Sequence, residues 1–219
     1  MLSMGELIVF EDRMVKARGL DKSQKPDENK VKTYFFCEDY DHLSKALSLP
    51  KVSVGQAVNP TETLTLFYPG CGADILFPLK YVEQLFPNIT EINFIFNDLD
   101  DNLNLIKTVL DEVGISFAEE DHKINFYWKD MLINLDFQSG NVFEMELPQF
   151  DIYFEKAFRI MKGYHPEYEN KIFTKLNLGG ILISDSGFQE FPLKKLKVSP
   201  KLSTYGEMII GVKKQSIKS

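Results

Sequence analysis

The chain has 219 residues, a hydrophobic content of 44% and a formal net charge of -7. That length supports one sizeable core with a small appendage, and the acidic balance argues against a broad nucleic-acid footprint. No apolar run approaches the roughly 20 residues needed to span a bilayer.

The N-terminal stretch mixes Glu6, Glu11 and Asp12 into its apolar residues, so neither a signal peptide nor an anchor is expected there. The two cysteines, Cys37 and Cys71, have neither metal nor disulfide spacing and read as free thiols in a reducing compartment. The expected location is cytoplasmic, with no membrane partner and no bound metal. Lys194, Lys195, Lys197 and Lys201 make a modest basic patch that reads as a solvated edge.

Taken in order, Leu7 to Phe10 reads as a short strand, and Asp21 to Lys32 as a polar loop or mobile segment. Tyr34-Phe35-Phe36 opens a strand or a helix. Asp41 to Leu47 has a helical spacing with a plausible N-cap, and residues 51–62 read as a connector. Residues 1–60 are therefore expected to be an extension covering the core, and residues 61–219 the main domain.

Leu64 to Tyr68 is an apolar strand that breaks at Gly70-Cys71-Gly72 and runs into a helical face from Ile75 to Phe86. Glycine permits a positive φ and the close approach of a ligand, and the helix that follows presents free N–H groups. An ordinary strand–turn–helix corner uses the same residues. Ile92 to Phe96 is a strand ending at Asn97-Asp98, and Leu99 to Gly114 a helix with Leu103, Ile106, Leu110 and Val113 on one face. Strand-like runs follow at Ile124 to Trp128 and Leu132 to Phe137, with a turn at Ser139-Gly140-Asn141. Phe150 to Phe154 is a strand, Pro166 to Leu176 a helix ended by Asn177-Leu178-Gly179-Gly180, and Ile181 to Asp185 a strand. Leu193 to Val198 and Met208 to Val212 close the chain as strands. The pattern predicts an α/β, Rossmann-like fold: a mainly parallel sheet with helices on both faces and an antiparallel strand at one edge.

The glycine loop, the acidic strand end and the Gly-Gly turn, in that order over residues 64–185, resemble the class I S-adenosylmethionine-dependent methyltransferases. Phe67 to Gly72 resembles the loop that wraps the methionine part of the cofactor in that family. Asp98, 26 residues after Gly72, stands where the family holds the ribose hydroxyls. A carboxylate accepts two hydrogen bonds at once, which suits a diol. Asp98 equally reads as the cap of the helix beyond it. The resemblance implies S-adenosylmethionine as cofactor, S-adenosylhomocysteine as product, and binding by Tyr68, Gly70, Cys71, Gly72, Asp74, Asp98, Leu99 and Asn141. The loop departs from the family pattern. Tyr68-Pro69 stands where an acidic residue is common, and Ala73-Asp74 where a third glycine is. Asp74 therefore either serves the cofactor amine or caps the helix; Asn141 either meets the adenine edge or makes a turn. A nicotinamide cofactor fits worse, because Ile75 occupies its third glycine position.

Methyl transfer needs alignment, and a base only where the acceptor must lose a proton. Glu155, after the fourth strand of the family pattern, is the first candidate for a polar or basic role, and His165 the second, although a histidine beside proline commonly sits at the surface. The Asn/Asp-Pro-Pro-Tyr/Phe motif of base and glutamine methylation is absent. Two readings follow: a methyltransferase acting on a small molecule or a protein side chain, and a non-catalytic methyltransferase-like protein that binds a ligand or partner. Cofactor binding separates them.

Overall fold

The computed structural model describes residues 14–35, 63–199, 202–203 and 206–214. The readings made for Leu7 to Phe10, Asp41 to Leu47, residues 51–62, Phe36 and Cys37 lie outside these residues. The described elements are α1 (Glu28–Thr33), β1 (Leu64–Pro69), α2 (Leu76–Leu85), β2 (Glu91–Asp98), α3 (Leu103–Glu112), β3 (Phe117–Glu120), β4 (Lys123–Trp128), β5 (Met131–Ser139), β6 (Phe150–Glu155), α4 (Arg159–Gly163), α5 (Tyr168–Lys175), β7 (Leu176–Ser184), β8 (Leu193–Lys195) and β9 (Ile209–Lys213).

The described strands form one sheet in the order β3–β4–β5–β2–β1–β6–β7–β9–β8. The five central strands, β5, β2, β1, β6 and β7, run parallel. Antiparallel strands extend both edges: β4 and β3 beyond β5, and β9 and β8 beyond β7. The expected α/β Rossmann-like sheet is therefore present, with antiparallel additions at two edges rather than one.

Burial follows strand position. β1 and β6, at the centre, are apolar on both faces, as parallel strands covered by helices must be. β2, β4 and β5 alternate: Ile92, Phe94, Phe96, Ile133, Leu135 and Phe137 point into one core, while Asn93, Asn134 and Asp136 are half-buried on the other face. One core joins these residues to Val31 of α1, Leu79 and Val82 of α2, and Ile106 and Val109 of α3. The second, on the opposite face, joins Phe67, Tyr153 and Leu182 to Tyr168 and Ile172 of α5.

Four local readings are corrected. The polar stretch Asp21 to Lys32 holds all of α1 but its last residue, because Asp27 caps the helix by accepting the backbone N–H groups of Asn29 and Lys30. Val31 and, just beyond the helix, Phe35 pack on the core, and ahead of it the Arg18 and Gly19 N–H groups bond to the Phe117 carbonyl of β3. The helix expected from Leu99 begins at Leu103, after a turn in which Asp101 accepts the Leu103 N–H. Gly179-Gly180 does not end a helix: α5 stops at Lys175, and the two glycines lie within β7 at a register shift against β6. Arg159–Gly163 forms the short helix α4, which the sequence reading left unassigned.

The chain passes from β1 to β2 on one side and later reaches β6 on the other. The order of strands thus reverses at β1. In open parallel sheets the crevice beyond the carboxyl ends of strands at such a reversal is where ligands bind.

Candidate ligand site at the carboxyl ends of β1, β2 and β6

β1 ends in a loop whose two glycines both have positive φ, +60° at Gly70 and +52° at Gly72. Cys71 between them is buried, and its N–H donates to the Asn97 carbonyl at 3.2 Å. Burial pushes the Cys71 thiol pKa up, followed by the fields of Asp98 and Asp74, so it is a small inert filler rather than a nucleophile.

Asp98 holds the same loop from the end of β2. Its Oδ2 accepts the Gly72 N–H at 2.7 Å, and its Oδ1 accepts the Leu99 N–H at 2.8 Å. It does not cap α3, whose N-cap is Asn102. Each carboxylate oxygen has a further lone-pair site. Beside it Leu99 is 71% exposed, and no atom lies within 4 Å of where a Gly72 side chain would project. This end of the crevice is open, polar at Asp98 and apolar at Leu99.

Asn97 is a participant that the sequence reading missed. It is buried, and its Nδ2 donates to the Gln138 and Gly140 carbonyls at 2.8 and 3.1 Å, fixing the loop beyond β5 against β2. The only signal was an amide side chain at the end of an aromatic strand. Asn141, in that fixed loop, is absorbed in its own turn: Oδ1 accepts the Phe143 N–H and Nδ2 donates to Glu144.

Asp74 starts α2. It accepts the Phe77 N–H at 3.1 Å and the Tyr68 hydroxyl at 3.0 Å. Burial raises its carboxyl pKa, opposed by the nearby Lys156 ammonium. Burial also raises the Tyr68 phenol, and the Asp74 charge adds to this.

Glu155, at the end of β6, is 1% exposed and accepts from three donors: Lys162 Nζ at 2.5 Å, Ser184 Oγ at 2.5 Å and the Tyr153 hydroxyl at 2.6 Å. Burial raises its carboxyl pKa against the pull of Lys162. Lys162 also meets Glu169 at 2.8 Å and donates to the Gly187 carbonyl, so it joins β6, α5 and the turn beyond β7. His165 is exposed and stacks on Phe143, with ring centroids 3.7 Å apart and planes 13° apart.

Between the ends of β1 and β6 lies Phe158, also missed. It is 3% exposed, and its Cε2 and Cδ2 stand 2.6 and 2.8 Å from the point where a β-carbon on Gly70 would lie. Glycine suits this position twice over, by its φ of +60° and by the ring that lies where a β-carbon would project. Ala157 before it has φ +55°, a left-handed conformation that costs a non-glycine residue roughly 1–2 kcal/mol. The Ala157 and Phe158 N–H groups are held by Asp185 Oδ1 at 2.8 Å and Ser186 Oγ at 3.1 Å. A small cleft beside it, lined by Phe77, Tyr81, Phe154, Lys156, Asp185 and Met208, has space for little more than one water.

Among the described residues no group of three His, Cys, Asp or Glu side chains could hold a metal ion, and no helix is long and apolar enough to cross a membrane.

No protein-family model and no curated protein matches the sequence. Solved structures do. The YcgJ protein of Bacillus subtilis is 17% identical at a TM-score of 0.39, over 64% of this chain and 49% of that one. An S-adenosylmethionine-dependent methyltransferase from Mesorhizobium loti is 13% identical at a TM-score of 0.36, over 65% and 53%. A methyltransferase of the same dependence from Thiobacillus denitrificans, solved with S-adenosylhomocysteine, is 12% identical at 0.37, over 72% and 53%. The match thus spans about half the length of these chains. At such scores the likeness carries no weight of its own; the strand order and the loop geometry do.

Proposed function

We propose that the chain is an S-adenosylmethionine-dependent methyltransferase whose acceptor is a small molecule or a protein side chain. The observation that supports this most is Asp98. Its carboxylate stands at the carboxyl end of β2, one strand from the order reversal, and is fixed by the Gly72 and Leu99 N–H groups. A fixed carboxylate with lone-pair sites to spare suits two adjacent ribose hydroxyls. Exposed Leu99 offers an apolar surface to an adenine ring, and the open side of Gly72 lets a ligand lie close to the backbone.

When bound, the cofactor supplies an electrophilic methyl group on a sulfonium. The residues of the chain contribute alignment. Asp98 fixes the ribose end, and the loop from Gly70 to Asp74 sets its distance from the end of β6. Glu155 has its carboxylate committed to Tyr153, Lys162 and Ser184. It serves here as an anchor, which favours an acceptor that arrives as a free nucleophile; His165 is the remaining candidate base.

One observation favours the second reading, a methyltransferase-like protein that binds without turnover: the Phe158 ring lies directly against Gly70 of the loop. Calorimetric titration with S-adenosylhomocysteine separates the two. Micromolar binding, about -8 kcal/mol, weakened at least about tenfold in Asp98→Ala is expected. A folded wild-type protein that binds neither the product nor S-adenosylmethionine sinks the enzyme reading.

A further inference from the structure

The loop between Asp98 and the end of β6 carries Gly70, and the ring of Phe158 lies on it. The ring lies against Gly70, at the strand-order reversal where ligands of open parallel sheets bind. Two further rings stand around it, Phe143 at 5.8 Å between centroids and Tyr168 at 5.8 Å, with Phe143 in turn on His165.

The backbone beneath the ring is fixed on both sides. Asp185 and Ser186 hold the two N–H groups of residues 157 and 158, and the Phe158 carbonyl accepts the first bond of α4 from the Lys162 N–H. Lys162 is itself tied to Glu155 and Glu169. The backbone is thus held, and rotation about the side chain's own torsions is the one route by which the ring would leave Gly70.

Resting on the methyltransferase reading above, we propose that Phe158 is a specificity-determining residue of the cofactor site. Its ring occupies the space that the amino-acid arm of a nucleoside cofactor needs, so the arm enters only when the ring turns out. The nucleoside end, at Asp98, Leu99 and Gly72, is untouched by this. The chain thus takes an arm-less adenine nucleoside in its resting form, and the apparent affinity for an arm-bearing one is reduced by the fraction of molecules with the ring turned out.

The test compares two ligands on three proteins. S-adenosylhomocysteine, which carries the arm, and 5′-methylthioadenosine, which lacks it, are titrated calorimetrically into wild type, Phe158→Leu and Phe158→Ala, with thermal melts to check folding. Methylthioadenosine is expected to bind all three within about twofold. S-adenosylhomocysteine is expected to bind the alanine variant about tenfold or more tighter than wild type, with leucine between. Should alanine fail to fold, leucine, which keeps most of the volume, carries the comparison. Unchanged or weaker S-adenosylhomocysteine binding in a folded variant, beside intact methylthioadenosine binding, overturns the role of Phe158 alone. Absence of binding by both ligands in every protein overturns the cofactor reading, and this inference with it.

Discussion

Gly72 donates its N–H to Asp98 Oδ2 at 2.7 Å, so the second glycine of the loop and the carboxylate of the next strand form one unit. The bond explains why a residue 26 positions away sets the loop's shape. Asp98→Asn keeps one acceptor oxygen, whereas Asp98→Ala leaves both the Gly72 and Leu99 N–H groups to water. Because the site is half-open, the stability cost of alanine is expected to be modest, about 1 kcal/mol. The loss of S-adenosylhomocysteine affinity is expected to be larger, at least about tenfold, with asparagine between. Urea unfolding and calorimetry on the same preparations check both; a large stability loss with unchanged binding would make Asp98 a purely structural residue.

Lys162 is the hub of a buried charge network. Lys162→Met leaves Glu155 and Glu169 without their cation and the Gly187 carbonyl with Ser184 Oγ as its remaining side-chain donor. Removing one member of a buried ion pair costs about 3–5 kcal/mol. The stranded Glu155 carboxyl, already raised by burial, rises further. A carboxyl whose native pKa lies above its unfolded value contributes stability at low pH and loses it as pH rises through the native pKa. The Lys162→Met variant is therefore expected to be closest to wild type near pH 5 and furthest from it near pH 8. Glu155→Gln added to it is expected to recover part of the loss at pH 8. Denaturant midpoints across pH decide this, and a pH-independent difference would point to lost packing instead.

Gly180 and Gly163 form a contrasting pair. A β-carbon at Gly180 would stand 2.8 Å from both the Asn177 and Asp151 carbonyl oxygens, which are backbone and cannot step aside. Gly163 has no atom within 4 Å of that point and no positive φ. Gly180→Ala is expected to cost about 1–3 kcal/mol, and Gly163→Ala to be neutral or stabilising by up to about 1 kcal/mol. Thermal melts of the two variants suffice; equal shifts would contradict the close approach at Gly180.

Sequence periodicity made the centre of the sheet legible. β1, β2, β6 and the second half of β7 stand within two residues of their expected places, because buried parallel strands are written as short apolar runs closed by turn residues. The Gly-Gly pair misled because a helix stop and a strand bulge make the same demand on the residue, a positive φ at Gly179. α1 was hidden by its polarity: it buries Val31 alone along its length, and its start depends on the Asp27 cap. In the site, Gly70, Gly72 and Asp98 were legible as residue types at a spacing. Phe158 was not, since no local pattern tells that an aromatic residue after one strand will pack on a glycine after another, 88 residues earlier in the chain. Nor could spacing tell that Glu155 would be neutralised by Lys162, seven residues on, across the start of α4.

Asp74 gives the last prediction, because its two roles have opposite pH signatures. It accepts the Phe77 N–H at the start of α2 and the Tyr68 hydroxyl, yet burial raises its carboxyl pKa from its ordinary value. The folded state therefore holds the proton more tightly than the unfolded chain. The stability associated with the group is fully present below the unfolded pKa, near 4, and is lost as pH rises through the higher native value. Asparagine keeps an acceptor for the Phe77 N–H and has no charge to desolvate. Asp74→Asn is thus expected to be less stable than or equal to wild type at pH 4 and to gain on it as pH rises toward 7. Lys156, whose ammonium opposes the shift, supplies the control: Lys156→Met in the Asp74 background is expected to steepen wild type's loss, and in the Asp74→Asn background to leave the pH dependence flat. If instead wild type gains on Asp74→Asn with rising pH, the carboxylate is stabilised by its partners more than burial opposes it. Asp74 would then be an ionised group available to a ligand amine rather than a buried start to the helix.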